Sequence, residues 1–422
     1  MARTAAVLEG GSRISDYVTL GVVARMFPPE RVEASLHATG KASQRQRDLP
    51  AHVVIYYVIA LALFAQASCR EVLRCLLEGV RWLGRTGIDL KVAGKSGISQ
   101  ARTRLGWEPV RRLHDELVRP IAVEATRGAW FHGWRVVSLD GSTLDLPDDP
   151  ANESAFGRPS TSRGTAAFPQ LRFVSLVENG THVLFGTRLG ACEADERGLA
   201  TEVLGSLTKG MLCLADRGFY GFGFWNKARA TGAELAWRVS AKLKLPREVE
   251  LEDGSYLSTV FDSYDRKRRP EDGVRVRVVE YTLDGARDFR LPAAPEGEPS
   301  YRIITTLLDP KAALAKELAA LYPERWEIET AFDELKTHLR GRQTLLRSKT
   351  PDLIRQEFYG LMMAHFAVRG LMHEAALAGE IDPDELSFMH AVRVVRRTLP
   401  RFAALSPQKH SSQPTPPSSE KS

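Results

Sequence analysis

From Arg13 to about Thr126 the apolar positions recur at helical spacing, so the first third of the chain reads as helices throughout. Leu20, Val23 and Phe27 stripe the first helix, Ser15 and Asp16 stand where they can cap it, and Pro28-Pro29 interrupts it. Gly40 to Asp48 is a basic loop that brings Lys41, Arg45 and Arg47 close together. Pro50 then opens an apolar helix. Its run from Val53 to Ala65, at 13 residues, is too short for a bilayer and lies between charged segments, so it predicts a buried core helix. Glu71 to Trp82 is amphipathic, and Ser99 to Val118 sets Arg102, Arg104, Arg111 and Arg112 among leucine and tryptophan. A helical DNA-binding region fits this pattern, and so does an all-helical cap with solvated arginines.

At Gly133 the pattern changes. Trp134 to Leu139 predicts a strand ending on Asp140-Gly141; Ser142 to Leu146 continues it until Pro147-Asp148-Asp149-Pro150 breaks it. Asn152 to Phe168 reads as a Gly/Ser/Arg-rich loop. Arg172–Glu178 and Thr181–Leu189 alternate around Asn179-Gly180, the signature of a two-residue hairpin. A helix over Glu193–Leu207 leads to a short strand, Met211–Ala215, that ends on Asp216-Arg217-Gly218. A second helix to about Ala230 and a strand over Glu234–Val239 follow. From Lys242 to about Ser300, short alternating runs such as Val274–Tyr281 and the basic cluster Arg266-Lys267-Arg268-Arg269 predict a small β-rich insertion. Tyr301–Leu308 is a buried strand, Ala312–Leu321 a helix, and a second helix starts at Pro323. Helices over Pro351–Leu377 and Asp384–Val395 precede a Ser/Pro/Lys-rich tail expected to be disordered.

Composition narrows little. A chain of 422 residues has room for two or three domains with real cores. Lys and Arg number 58 against 52 Asp and Glu, a mild basic excess compatible with a polyanionic partner. Cys69, Cys75, Cys192 and Cys213 form no CxxC pair and read as reduced, buried thiols, which favours a reducing cytoplasm. Met1 to Arg13 lacks the apolar core of a signal peptide, and no membrane association is expected.

The chemistry centres on Tyr322-Pro323-Glu324-Arg325-Trp326-Glu327-Ile328-Glu329 and on to Lys336. An advance of about 100° per residue puts Tyr322, Arg325, Glu329 and Lys336 on one narrow stripe of a helix. Glu327 and Glu334 point away from it, and Trp326, Ile328, Phe332 and Leu335 are free to pack the helix down. A carboxylate flanked by a guanidinium, a phenol and an ammonium suits a metal ion beside a phosphodiester; a solvated helix with ordinary i,i+4 pairs has the same spacing. Asp140 and Asp216 stand at two strand ends. If those strands share a sheet, three carboxylates converge, and hard oxygen ligands in that number suit Mg²⁺ or Mn²⁺. Each acid also has a plain reading: Asp140 in a turn beside Asp145, Asp148 and Asp149, Asp216 as a helix cap, and Glu329 as one of several helical glutamates.

With those residues in view, the sequence resembles the bacterial DDE transposases of the insertion-sequence-four family over most of its length. DGSTLDLPDD around Asp140, CLADRGFYGF around Asp216 and YPERWEIETAFDELKTHLRG around Glu329 resemble the family's three acidic blocks. The third carries the family spacing of Tyr, Arg, Glu and Lys at Tyr322, Arg325, Glu329 and Lys336. RISDYVTLGVVARMFPPERVEASL resembles the N-terminal region that accompanies this core in part of the family.

The resemblance implies an α/β protein: an RNase H-like catalytic core with a β-rich insertion, preceded by an all-helical N-terminal domain. The expected division is 1–126 for the helical domain, 127–241 and 301–345 for the two parts of the core, and 242–300 for the insertion. C-terminal helices over 346–405 and a tail over 406–422 complete it. It implies excision and integration of an insertion element, with Asp140, Asp216 and Glu329 holding two Mg²⁺ ions, or Mn²⁺ in their place. Tyr322, Arg325 and Lys336 would contact DNA phosphates. The implied partners are double-stranded DNA, as terminal inverted repeats and target, and a second copy in a homodimer on paired ends. The location would be the nucleoid in the cytoplasm. Trp237, Tyr256, Phe261 and Tyr264 are candidates to stack a displaced base, although each also reads as a core aromatic. Two alternatives are a transposase-derived DNA-binding protein without catalysis and a metal-dependent nuclease without strand transfer.

Overall fold

The computed structural model describes residues 15–44, 49–82, 93–161, 164–262, 269–282, 301–341 and 345–397. Six helices come first: α1 (Ser15–Met26), α2 (Pro29–Ala38), α3 (Ala51–Leu63), α4 (Cys69–Trp82), α5 (Lys95–Leu105) and α6 (Glu108–Leu117). The mixed α/β part follows with β1 (Trp134–Asp145), α7 (Pro150–Phe156), β2 (Gln170–Glu178), β3 (Val183–Ala191), α8 (Glu196–Val203), β4 (Met211–Ala215), α9 (Phe222–Arg229) and β5 (Glu234–Arg238). Strands β6 (Val249–Glu250), β7 (Tyr256–Val260), β8 (Val274–Tyr281) and β9 (Tyr301–Thr305) lead to α10 (Ala315–Leu321), α11 (Glu327–Asp333), α12 (Pro351–Gly379) and α13 (Phe388–Arg397). Arg45, Arg47, Tyr264, the basic residues Arg266 to Arg268 and the C-terminal tail lie outside the described residues.

These strands form one sheet in the order β3-β2-β1-β4-β5-β9-β8-β7-β6, with Trp130–Phe131 added beside β1. The β1–β4 and β4–β5 pairs are parallel and the rest antiparallel. Both faces of the middle strands are covered, because alternate residues enter opposite cores. Val136, Leu212, Leu214 and Ala236 pack on one face; Val137, Leu139, Cys213, Ala215, Leu235 and Trp237 pack on the other.

The strand that opens at Trp134 runs through Asp140-Gly141 to Asp145, in keeping with the pattern that Ser142 to Leu146 continues, since Gly141 keeps extended geometry and pairs with Val174 of β2. The hairpin between β2 and β3 closes at Glu178 and Val183 around four residues rather than two. There Gly180 takes a φ of +77°, and its α-carbon lies so close to the Arg127 carbonyl that a Cβ would meet it at 2.6 Å. Within the β-rich insertion expected over 242–300, the described strands belong to the same sheet as the core. Strands β6 to β8 extend the main sheet through β9, whose Ile303 and Ile304 bridge β8 and β5.

The N-terminal helices share this core. One cluster of buried side chains runs from Val22 to Val395 and joins α1–α6 to the sheet through α12. Among the described residues no helix is long and apolar enough to cross a membrane, and the apolar α3 is buried as expected. It crosses α12 at Gly360, where a Cβ would sit 2.6 Å from Val58 Cγ1 and 2.7 Å from the Val58 carbonyl oxygen. Backbone cannot yield to a methyl there. Gly360→Ala is therefore predicted to lower stability by about 1–3 kcal/mol through overpacking; an unchanged melting temperature would contradict this packing.

Candidate active site

The parallel pairing of β1 with β4 ends at Leu139 opposite Ala215, so the next residue on each strand, Asp140 and Asp216, stand side by side. Neighbouring strands lie about 4.8 Å apart, which brings two carboxylates distant in sequence to one sheet end. Gly141 donates its N–H to Asp140 Oδ1 at 2.8 Å and fixes that rotamer. The third acid arrives on a helical run that changes pitch twice. After α10, Tyr322–Trp326 is a 3₁₀ turn containing Pro323, α11 follows, and Glu334–His338 widens into a π turn. Leu318 and Tyr322 pack on one face of the sheet and Ile328, Ala331, Phe332 and Leu335 on the other. The run therefore passes over the strand ends, and the tight turn sits at the crossing.

Arg325 lies in that turn. Its Nη1 donates to Asp140 Oδ2 at 3.1 Å, and its Nη2 is 4.0 Å from Glu329 Oε1. Its charge also acts on Asp216, whose Oδ1 lies 3.9 Å from Arg238 Nη1. Tyr322 donates its hydroxyl to the carbonyl of Ala215 at 3.1 Å, tying the turn to the residue before Asp216. Lys336 Nζ donates to Ser142 Oγ at 2.9 Å, two residues along β1 from Asp140 and on the same face. The side chains of Asp140, Asp216 and Glu329 are 22%, 36% and 48% exposed, so the acids open to solvent while Arg325 behind them is buried.

The carboxylates repel one another. Burial raises the Asp140 pKa, Arg325 and the Gly141 N–H pull it back, and Glu196 and Glu329 push it up again, to about 6. Burial also raises Glu329, Arg325 opposes this, and the charge of Asp216 adds to the rise. A crowded set of oxygen donors with elevated proton affinity suits a hard divalent cation, which removes the same repulsion that protons remove. The residues present fit such an ion.

Some expected roles meet a different placement. Tyr322 is buried with its hydroxyl hydrogen committed to Ala215, and Arg325 is buried against Asp140, so neither presents an open surface to a phosphate in this conformation. Trp237 is a core residue packed on Phe224 and Trp225, and the Tyr256 hydroxyl bonds Glu280. On α5 and α6, Arg102 is buried and bonded to Gln356 and Ser348, while Arg111 and Arg112 pair with Asp115 and Glu116 on their own helix. The basic helical face expected there is largely neutralised. Two residues beside the acids, Glu196 and Arg238, were not singled out in the sequence; each lies at a helix or strand end far in sequence from the residue it approaches.

A family model described as the transposase DDE domain matches residues 132–367, more than half of the chain, and one described as the insertion element 4 transposase N-terminal region matches residues 17–115. The chain belongs to the DDE transposases. It is 28% identical over 389 residues, 90% of this chain and 83% of the relative, to the transposase InsG for insertion sequence element IS4 of Escherichia coli strain K12. A second relative in that strain, InsZ, is 26% identical over 227 residues, 54% of this chain and 73% of its own. The piggyBac transposase synaptic complex with hairpin DNA overlays 90% of this chain and 79% of its own at 11% identity and a TM-score of 0.44, too distant to carry an argument. As a DDE transposase the protein is a metal-dependent enzyme that binds DNA, cleaves it and transfers the strand.

Behind the acids, the transposase fixes its helical run with a buried polar network. Glu334 accepts from Arg369, with His182 at 3.4 Å and His365 at 3.2 Å. Glu327 accepts from the N–H of Gly180, and His182 Nε2 lies 3.1 Å from Asp384. The potential ligand atoms of His182, Glu327 and Asp384 all lie within 4.8 Å of one another, a grouping on the opposite side of the helix from Glu329. His182 Nδ1 faces both Glu334 and Arg369, and its Nε2 is buried with no hydrogen-bond partner among the described residues. Burial alone would raise Glu334; the Arg369 guanidinium and the two imidazoles outweigh it and hold the carboxyl well below the usual range. A depressed folded pKa contributes stability that is present above the unfolded value of about 4.3 and lost as pH falls through the folded one. Glu334→Gln is predicted to cost about 3–5 kcal/mol at neutral pH by stranding Arg369. The deficit should shrink on acidification; a deficit constant with pH, read by urea unfolding, would contradict the role.

Proposed function

We propose that Asp140, Asp216 and Glu329 of this transposase hold a pair of divalent ions, Mg²⁺ with Mn²⁺ able to replace it, at one end of an RNase H-like core. The observation that carries the reading is the shared guanidinium: one buried arginine is charge-coupled to three carboxylates delivered by two strands and a helix. Bound there, the ions supply the charge that activates a water or a 3′-hydroxyl and stabilises the departing oxygen. The chain's own residues do the positioning. Asp140 is held rigid by the Gly141 N–H, Tyr322 ties the 3₁₀ turn to β4, and Lys336 reaches Ser142 on the strand that carries Asp140.

Arg325 Nε is buried with no hydrogen-bond partner among the described residues, which leaves one donor unspent beside the acids. With an ion held by the acids, Arg325 and Lys336 would be the donors for a non-bridging phosphate oxygen. The substrate is double-stranded DNA at the terminal inverted repeats and then at the target, with the first nick freeing a 3′-hydroxyl for strand transfer. Pairing of two ends makes a homodimer the working species.

The test is a labelled element-end DNA assay in Mg²⁺. Asp216→Ala should bind the ends as the native protein does and cut at least about 100-fold more slowly. Cutting at the native rate would remove Asp216 from the ion-holding set. Hydrolysis by the native protein without any joined product would replace the transfer reading with a simple nuclease.

A further inference from the structure

Gly141 stands next to Asp140 in the middle of a strand, and its φ is not among the left-handed values, so its backbone could accept any residue. What a side chain there would displace is a carboxylate. A Cβ at position 141 would lie 2.1 Å from Glu196 Oε1 and 3.0 Å from its carboxyl carbon. The Glu196 carboxylate thus rests on the bare backbone of the residue beside Asp140.

Its own element explains why it stays there. Glu196 is the first residue of α8, whose N-cap Asp195 accepts from the Gly198 N–H. The next residue, Arg197, donates from Nε to the carbonyl of Gly218 at 3.0 Å, in the turn that follows Asp216. Its guanidinium also lies 3.1 Å from where a Cβ on Gly221 would stand. The first turn of α8 is therefore pinned to the Asp216 loop on one side and pressed on β1 on the other. Glu196 is set beside Asp140.

We infer that Glu196 is a fourth carboxylate of the metal centre, bonding an ion held by Asp140 either directly or through an ordered water. Its charge acts on Asp140, as that of Glu329 does, and no hydrogen bond or salt bridge holds Glu196 among the described residues. A half-exposed glutamate free to turn into solvent gains nothing from lying against another carboxylate unless a cation joins them. Gly141 then has a defined purpose: it makes room for this carboxylate. The inference rests on the proposal that Asp140, Asp216 and Glu329 hold the ions.

The experiment measures Mn²⁺ binding to the full-length protein by calorimetry, with DNA absent, for native protein, Glu196→Gln, Gly141→Ala and Asp140→Asn. Glu196→Gln should weaken Mn²⁺ binding about 10-fold or more. Without metal its melting temperature should be unchanged or raised, because a repulsive charge has gone. A merely structural glutamate would instead lower that temperature and leave Mn²⁺ affinity alone. Gly141→Ala should weaken binding similarly by displacing Glu196. If Asp140→Asn loses Mn²⁺ while Glu196→Gln binds it natively, the role of Glu196 is overturned and the three-acid centre stands. If neither variant loses it, the three-acid centre itself fails and Glu196 with it.

Discussion

Three carboxylates brought to one end of a sheet repel each other, and the fold must supply positive charge where they meet. Arg325 does this from a buried position, bonding Asp140 and reaching Glu329 while its charge acts on Asp216. One guanidinium against three carboxylates leaves a deficit that Arg238 and Lys336 reduce from the rim. Burial first, and the charges of Glu196 and Glu329 after it, raise the proton affinity of Asp140 against the pull of Arg325. Such an imbalance is the kind that hard divalent cations relieve.

The helical run that carries Arg325 and Glu329 can serve this site because its two sides are held by different means. Toward the sheet it is tied by Tyr322 and Lys336; away from it, Glu327 and Glu334 are caught by Gly180, His182, His365 and Arg369. The loop between β2 and β3 that provides Gly180 and His182 also supplies Asn179, which bonds both Ser138 on β1 and the carbonyl of Glu324. This loop links the strand of Asp140 to the turn of Arg325. Its four-residue length has a reason here: a two-residue turn would bring fewer polar groups to the helix.

Much of this was legible because the chemistry sits on regular elements. Period-2 runs gave β1, β4 and β5, and the helical stripe put Tyr322, Arg325, Glu329 and Lys336 on one side although the pitch changes within it. What escaped was set by tertiary contact. Gly141 looks like a turn glycine until Glu196, 55 residues later in the chain, is seen lying on it. Arg102 reads as a surface cation, yet it is buried by Gln356 and Ser348 of a segment about 250 positions away, a separation that no local pattern reveals. The segment after Lys242 reads as a β-rich insertion, but alternation reports a strand and not its neighbour; pairing with β9 is what joins the described strands to the main sheet.

The claim beneath all of this is that the acids around Arg325, and not another cluster, take the ions. Crystals of the protein soaked in Mn²⁺ and recorded at the manganese absorption edge test it most directly. Anomalous peaks should appear between Asp140, Asp216 and Glu329. Peaks confined to His182, Glu327 and Asp384 behind the helix, with none beside Asp140, would contradict the account.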